Sequence, residues 1–384
     1  MSQAEEFFSD LKEWSSRKLS IIRKYVDGFA TILGSWHKEI YYVDGFAGRG
    51  IYDKGEKGSP VLVAEASQGF QQRNKPFTLM CLNIEKDHDN FTNLSTATKS
   101  FGKLVENLEG TFEENIDAIL SKIAGKPAVF FIDDFGIKGT DWDTVEKVIA
   151  RKDTTDLWIR FDYKTVLRLS GFYESDAKEA QGKVSTLETL FGALDSEYIQ
   201  ARLNGETPEE RVGNAVKLYV EQLEQTFKKF GKKGFAASYP IVAINGQRKY
   251  FLIFACAHPK AATLASNIVN SIEETYQHEK EEYKEQLTGQ MSFFTSEATE
   301  KQIFDDKVSK LKTAISLLPK NKSMTREELH YEILVQDKSW FGKMGRKHLT
   351  QALKDLLAET PARIKSIGTP GSDDSIFTIL EQMC

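Results

Sequence analysis

The chain has 384 residues and a net charge of −5, and 40% of its residues are hydrophobic and 28% charged, which indicates a soluble globular protein of two or three domains. It contains no run of 18 apolar residues and begins with an acidic, polar segment, so we expect neither a membrane-spanning helix nor a signal peptide. Cysteines occur at positions 81, 256 and 384, far apart and outside any CxxC motif. This spacing argues against a disulfide framework or a cysteine zinc site and favours the cytoplasm.

The first predicted element is a helix within residues 4–37, which we assign as an N-terminal helical lead (1–37). Its apolar residues recur at helical spacing, at Leu19, Ile22, Tyr25, Val26, Phe29 and Leu33. The intervening basic residues are Arg17, Lys18, Arg23 and Lys24. Singly spaced charges usually form a solvated helix face, and we favour that interpretation over contact with nucleic-acid phosphates.

Strand and helix patterns then alternate along the chain. Apolar runs of strand length, several of which end in an acidic residue, occupy 40–46, 77–87, 103–110, 127–136 and 154–163. Between the first two, Ser59 and Pro60 predict a helix start with serine as the N-cap. This alternation predicts an α/β fold with a doubly wound parallel sheet.

A hairpin is predicted to close this sheet. Residues 164–235 are mostly helical and polar, and we interpret them as an insertion. Two β-type runs within 238–259 flank Asn245-Gly246, the dipeptide most favoured in two-residue hairpin turns. Rossmann-like methyltransferases end in such an antiparallel hairpin, whereas dinucleotide dehydrogenases rarely do. We therefore predict a methyltransferase-like domain over 38–275 and a linker helix over 276–300.

The last segment, 301–384, is predicted to be a winged helix-turn-helix domain. Three helical patterns precede two strand patterns around a Gly/Pro/Ser/Asp-rich turn, which is the order of that fold. The segment carries 14 Lys+Arg and 11 Asp+Glu residues, whereas the rest of the chain has a net charge of −8. Basic residues near the third helix and the hairpin are candidates for nucleic-acid contact, although winged helices also bind proteins. They are Lys343, Arg346, Lys347, Lys354, Arg363 and Lys365.

The stretch "YYVDGFAGRGIY" (41–52) ends a strand with Asp44 and continues with glycines at 45, 48 and 50. A P-loop would require Gly-Lys-Ser/Thr, and a dinucleotide loop would have the spacing GxGxxG and no carboxylate to repel a pyrophosphate. S-adenosylmethionine (SAM) has no phosphate, and its ammonium group suits a carboxylate. We therefore predict a SAM loop that comprises Asp44, Gly45, Phe46, Gly48 and Gly50.

Acidic or hydroxyl residues end the next two strands. A carboxylate at Glu85 can accept hydrogen bonds from two ribose hydroxyls, although such an acid can also simply face solvent. Thr111 or Phe112 is predicted to border the adenine.

The stretch "FFIDDFG" (130–136) is the candidate for catalysis. Asp133 or Asp134 could accept a hydrogen bond from a substrate amine, and Phe135 could stack on an extruded base. The two carboxylates could instead bind Mg²⁺, or Asp134 could simply cap a helix.

In these motifs the chain resembles the three-Cys-motif partner (TcmP) family. The segments that carry the resemblance are "WSSRKLSIIRKYV" (14–26), "YVDGFAGRGIY" with "GSPVLVAEA" (42–66), "FFIDDFG" (130–136) and "YFLIFACAHP" (250–259). The resemblance implies a Rossmann-like SAM-dependent methyltransferase of prokaryotes and their mobile elements, which acts with a separate partner protein that carries the three-cysteine motif. It also implies that Asp44 and the three glycines bind SAM and that Asp133 is catalytic.

One position departs from the pattern of that family. The family usually has proline where this chain has Asp134, and that proline fixes φ and presents its carbonyl to a target amine. Three hypotheses follow from the sequence: a SAM-dependent methyltransferase of nucleic acid, a non-catalytic nucleotide-binding scaffold, and a protein that binds DNA through its C-terminal segment, 301–384.

Overall fold

The computed structural model describes residues 13–134, 141–174, 178–192, 194–288 and 297–381. Its contacts divide the chain into two compact units, residues 1–257 and 258–384. The predicted domain boundaries differ from this division, because residues 258–275 belong to the second unit. In the described ranges, no helix combines the length and the apolar character that crossing a bilayer requires.

The first unit is built on a seven-stranded sheet. Its strands are β1 (Glu39–Asp44), β2 (Thr78–Glu85), β3 (Val105–Glu109), β4 (Ala128–Ile132), β5 (Thr155–Phe161), β6 (Phe235–Val242) and β7 (Arg248–Cys256). The sheet order is β3-β2-β1-β4-β5-β7-β6. The first five strands pair in parallel, and β7 pairs antiparallel with both β5 and β6. The predicted doubly wound sheet with a terminal antiparallel hairpin is therefore confirmed.

The apolar runs form strands because helices cover the sheet. All residues of β4 are at most 1% exposed, as expected for a parallel strand that is buried on both faces. The helices of this unit are α1 (Glu13–Leu33), α2 (Ser59–Gln72), α3 (His88–Thr98), α4 (Phe112–Lys122), α5 (Trp142–Ala150), α6 (Tyr163–Ser170), α7 (Lys178–Leu190), α8 (Ser196–Leu203) and α9 (Pro208–Lys229). Helices α6 to α9 form the predicted helical insertion between β5 and β6.

Helix α1 is part of the core. The Tyr25 ring packs edge-on against Trp158 and Phe254 of the sheet, with ring centroids 5.3 and 5.1 Å apart. Its basic residues differ from the expectation of a solvated face. Arg17 and Lys18 are only 6% and 5% exposed, because Arg17 donates to the Val242 carbonyl and Lys18 pairs with the carboxylate of Asp133, which directly follows β4. The interpretation of a solvated face was therefore wrong for these two residues.

The second unit combines helices with a small antiparallel sheet. Its elements are α10 (Pro259–Thr288), α11 (Glu297–Ser316), β8 (Ser323–Thr325), α12 (Arg326–Gln336), α13 (Arg346–Ala358), β9 (Ile364–Ile367) and β10 (Ile376–Ile379), and the sheet order is β8-β10-β9. The predicted three helices and hairpin over 301–384 are present, together with the short strand β8. Thr325 is the N-cap of α12 and forms a capping box with Glu328.

Candidate SAM and acceptor site

A cavity of about 530 Å³ lies at the carboxyl ends of β1 to β4. The sheet order reverses between β1 and β4, and ligands of open α/β sheets bind where this reversal occurs. The cavity is lined at the carboxyl ends of β1, β2, β3 and β4 by residues 45–50, 84–87, 110–113 and 133–134, respectively. The structure thus brings the predicted glycine loop, Glu85, Thr111, Asp133 and Asp134 together around one space.

The glycine loop follows β1, and its turns require glycine. Gly48 and Gly50 have φ of +65° and +79°, a conformation that other residues rarely adopt. At Gly45 a side chain would meet the Phe112 ring at 3.1 Å, and at Gly50 it would meet Ala97 at 3.2 Å. The bare backbone at these two positions therefore makes room for the protein's own side chains, although both glycines also line the cavity.

Asp44 lies beneath this loop. Its carboxylate is 0% exposed and accepts from the Tyr42 hydroxyl at 2.9 Å and from the Phe46 N–H at 3.2 Å. Burial raises the pKa of Asp44 to about 6, while hydrogen bonds from Ser59, Tyr42 and Phe46 oppose the rise. The structure gives this carboxylate a role in holding the loop, and its contact with a ligand ammonium stays a prediction.

Glu85 connects the loop to the end of β2. Its two carboxylate oxygens accept from the N–H groups of Gly48 and Asp87, each at 2.8 Å. The side chain lines the cavity, and burial raises its pKa while these two hydrogen bonds lower it. Because a carboxylate has about four acceptor positions, Glu85 can accept two further hydrogen bonds from a ligand.

The end of β3 adds an acceptor that the sequence analysis missed. Thr111 caps α4 and forms a capping box with Glu114, so its hydroxyl and N–H are engaged by the helix start. Glu113 lines the cavity, and its Oε1 atom is buried without a hydrogen-bond partner among the described residues. Burial raises the pKa of Glu113. A buried acceptor without a partner marks the place where a donor group of a ligand would bind.

Asp133 follows β4 and is the centre of an ion cluster. It pairs with Lys18 of α1, and its Oδ1 atom lies 3.9 Å from Nε of Arg160 on β5. That Oδ1 has no hydrogen-bond partner in the described part of the chain. The Asp134 carbonyl accepts from Nη1 of Arg160 at 2.9 Å. Phe135, the predicted stacking residue, lies outside the described residues, and its role stays a prediction.

Charge in the cavity is predominantly negative. Its charged lining residues are the cations Lys18, Arg49 and Lys86 and the acids Glu85, Asp87, Glu113, Asp133 and Asp134. A field of this sign attracts cations and repels a pyrophosphate. Among the described residues, no group of three or more His, Cys, Asp or Glu side chains is placed to hold a metal ion.

Lys18 is the main site residue that sequence reasoning did not assign. It is a helix residue that lies more than 100 positions from Asp133 along the chain. Burial of a lysine on a helix that also carries an apolar stripe cannot be deduced from spacing alone. The sequence segment that carried the family resemblance, 14–26, was the one available signal.

In the second unit, all six candidate nucleic-acid residues are exposed. Three of them form ion pairs: Arg346 with Asp373 at 2.9 Å, Lys347 with Glu274 at 3.0 Å and Arg363 with Glu359 at 2.6 Å. Lys343, Lys354 and Lys365 have no ion-pair partner among the residues that the structure describes. The predicted basic surface is therefore partly neutralised by the unit's own acids.

No protein-family model matches the chain. No curated protein matches it either. Among solved structures, it is similar to the O-methyltransferase TomG from Streptomyces achromogenes in complex with SAM, with 13% identity over 62% of this chain and 79% of TomG and a TM-score of 0.32. It is also similar to an O-methyltransferase from Bacillus cereus in complex with SAH, with 12% identity over 62% of this chain and 80% of that one and a TM-score of 0.30. Similarity at this level does not carry over an activity.

Proposed function

We propose that the chain is a SAM-dependent methyltransferase. The observation that carries the proposal is the excess of carboxylates in the cavity at the point where the sheet order reverses. SAM carries a sulfonium and an ammonium and no phosphate, so it suits this field better than NAD or ATP does. The volume of about 530 Å³ is in the ordinary range for a ligand of this size.

The lining residues fit the parts of SAM. Glu85 has acceptor positions left for the two ribose hydroxyls, and Oε1 of Glu113 can accept from an adenine amino group. The loop from Gly45 to Gly50, held from below by Asp44, would border the methionine end. Bound there, SAM would supply a methyl group that is electrophilic because it is attached to a sulfonium.

Asp133 is proposed to position the acceptor. Its Oδ1 can accept a hydrogen bond from an N–H or O–H group of the substrate, and methyl transfer depends on alignment more than on acid–base strength. Lys18 and Arg160 keep the carboxylate fixed and compensate its charge. Phe135 and Asp134 remain the other candidate residues at this strand end.

We further propose that the acceptor is nucleic acid and that the enzyme works with a three-Cys-motif partner protein. Support comes from the family resemblance and from the second unit, whose element order and exposed lysines suit a winged helix. A non-catalytic scaffold is the second candidate. It is favoured by the Asp134 carbonyl, which is engaged by Arg160 at the position where the family presents a proline carbonyl to the target amine.

Calorimetric titration with SAM and with NAD⁺ tests the cofactor. We expect SAM to bind and Glu85→Ala to weaken it by a factor of about ten or more, because a loss of about 1.4 kcal/mol is tenfold. Glu109→Ala is the matched control, since this acid ends the neighbouring strand but does not line the cavity. Tighter binding of NAD⁺ than of SAM would contradict the proposal.

Transfer of a labelled methyl group from SAM to DNA, RNA or protein, with the partner present, separates the two candidate functions. A methyltransferase would label one of these acceptors, and Asp133→Asn would abolish the labelling while SAM affinity is retained. Binding of SAM with no transfer to any acceptor would favour the scaffold.

A further inference from the structure

A second cavity of about 280 Å³ lies in the first unit beside the first one. It is lined by residues of α1, of the carboxyl end of β5, of the start of α6 and of the start of β7, namely Trp14, Ser15, Lys18, Arg160, Asp162, Lys164, Lys249 and Tyr250. The roles proposed for Lys18 and Arg160 beside Asp133 do not account for its other basic and aromatic lining residues, which are Trp14, Lys164, Lys249 and Tyr250.

The charge of this second cavity is opposite to that of the first. Four cations line it, Lys18, Arg160, Lys164 and Lys249. The first two face the Asp133 carboxylate, and the lining itself holds one carboxylate, that of Asp162. That carboxylate is engaged locally. As the N-cap of α6, it accepts from the N–H groups of Lys164 and Thr165 and from the Thr165 hydroxyl. Among these described residues the four cations exceed the two carboxylates by two, and a field of this sign favours an anion.

A buried hydroxyl adds a second, independent observation. Tyr250 is 4% exposed, and its hydroxyl has no hydrogen-bond partner among the described residues. Leaving a buried polar group without a partner is costly, so such groups in native proteins usually await a ligand or a water. The guanidinium of Arg160 lies 4.8 Å from the centre of the Tyr250 ring, and Nζ of Lys249 lies 4.4 Å from that of Trp14.

The two cavities share a wall. Lys18 lines both of them, and it pairs with Asp133, which lines only the first. Arg160 lines only the second and lies 3.9 Å from the same carboxylate. A group held in the second cavity is therefore next to the residue that is proposed to position the methyl acceptor.

We infer that the second cavity binds a phosphate group of the acceptor, a nucleotide within single-stranded nucleic acid, with Trp14 offering its ring to a neighbouring base. This inference rests on the proposed function. Aromatic rings interleaved with Lys and Arg are the usual lining of grooves for single strands, in which bases stack and phosphates are neutralised. A site for the phosphate of a modified peptide also needs cations, but it needs no aromatic ring for a base.

Binding of a labelled single-stranded oligonucleotide to the full chain, measured by fluorescence anisotropy at several salt concentrations, tests the inference. The double variant Lys164→Ala/Lys249→Ala should bind at least about tenfold more weakly, and its salt slope should fall by about 1.4, which corresponds to two lost phosphate contacts on a single strand. Lys152→Ala/Lys103→Ala is the matched control, because both lysines are exposed and line neither cavity. Equal affinity and slope for the two double variants would overturn the inference.

Two further experiments, with Trp14 variants and with competing ligands, identify the ligand of the second cavity. Trp14→Ala should weaken oligonucleotide binding, and Trp14→Phe should retain most of it, because a ring face is kept. Competition by a mononucleotide or a phosphopeptide as strong as that by the oligonucleotide would refute a nucleic-acid acceptor. Titration of the same proteins with SAM separates this inference from the proposed function. The lysine double variant should keep its SAM affinity, and failure of the wild type to bind SAM would refute the cofactor while leaving the oligonucleotide result to stand.

Discussion

At the scale of single residues, the first unit buries ionisable groups in two different settings. Lys18, Asp133 and Arg160 are buried together, so that opposite charges compensate one another. Asp156 on β5 is 1% exposed and accepts from the Tyr25 hydroxyl at 2.7 Å, while its Oδ1 has no partner among the described residues. Burial raises the pKa of Asp156 to about 7, and the hydrogen bond from Tyr25 opposes the rise.

This pKa predicts a pH dependence of stability. In the unfolded chain Asp156 loses its proton near its ordinary pKa of about 3.9, whereas in the folded chain it keeps the proton up to about pH 7. Its contribution to the free energy of unfolding should therefore fall as the pH rises from about 4 to 7 and stay low above that range. Asp156→Asn, which still accepts from Tyr25, should be more stable than the wild type by about 2–4 kcal/mol at pH 8 and show a smaller difference near pH 4.5.

Urea unfolding of the two proteins at both pH values measures this difference. Asp117→Asn serves as the control, because this side chain is 75% exposed and should change the free energy of unfolding by little at either pH. An Asp156→Asn protein that is less stable than the wild type at pH 8 would mean that the carboxylate is needed in its charged form.

The candidate site residues divide into those that sequence could predict and those that it could not. Glu85 and Asp133 were predictable because each directly follows an apolar run, and strand ends meet at one edge of a parallel sheet. The hydrogen bonds by which Asp44 holds the loop were not predictable. They depend on Tyr42, which lies two residues earlier on the same face of β1 and donates its hydroxyl to Asp44. Lys18 was not predictable either, because it contacts Asp133 only as a result of the tertiary packing of α1.

At the scale of elements, the segment from Gly45 to Gly58 is a closed loop. Ile51 and Lys57 form an antiparallel bridge, and the N–H of Gly58 donates to the Gly50 carbonyl at 2.8 Å. This closure makes Gly58 the N-cap of α2, so the prediction of Ser59 as N-cap was wrong. Ser59 is instead the first helical residue, and its hydroxyl bonds to Asp44.

Two glycines of this loop allow strain and packing to be separated. Gly50 and Gly55 have φ of +79° and +87°, but a side chain would meet Ala97 and Leu94 at Gly50 and nothing within 4 Å at Gly55. We expect Gly55→Ala to lower the free energy of unfolding by about 1 kcal/mol through backbone strain, and Gly50→Ala to lower it by about 1–3 kcal/mol more through overpacking. Chemical denaturation of both variants checks the order, and equal losses would show that α3 yields to the added methyl group.

Strands were the elements that the sequence predicted best. Apolar runs such as 127–136 are readable because both faces of a parallel sheet are covered, and Asn245-Gly246 marked the hairpin, where Gly246 has φ of +84°. Burial of individual charged residues was less predictable, because it depends on which elements pack together.

At the scale of the whole molecule, the chain consists of two units that differ in their contents. The first holds both cavities, and the second holds the six predicted nucleic-acid residues. Each unit offers cations of its own, so their contributions to binding can be measured separately.

The second unit is expected to bind duplex DNA through the lysines that its own acids leave available. Lys343→Ala/Lys354→Ala/Lys365→Ala should weaken duplex binding by the full chain and lower the salt slope by about 0.9 for each lost phosphate contact. Anisotropy with a labelled duplex measures both quantities, and Lys310→Ala, an exposed lysine of α11, is the control. An unchanged salt slope would contradict DNA binding by these lysines and would favour a protein as the partner of this unit.

Helix α1 has a consequence for how the chain can be shortened. Although it precedes the first strand, it supplies the ammonium beside Asp133 and covers the rings of Trp158 and Phe254. A fragment that starts at residue 38 would retain every glycine of the loop and both strand-end acids, yet it would expose apolar rings and leave the Asp133 carboxylate without its Lys18 partner. A fragment that keeps these contacts must therefore begin upstream of Lys18.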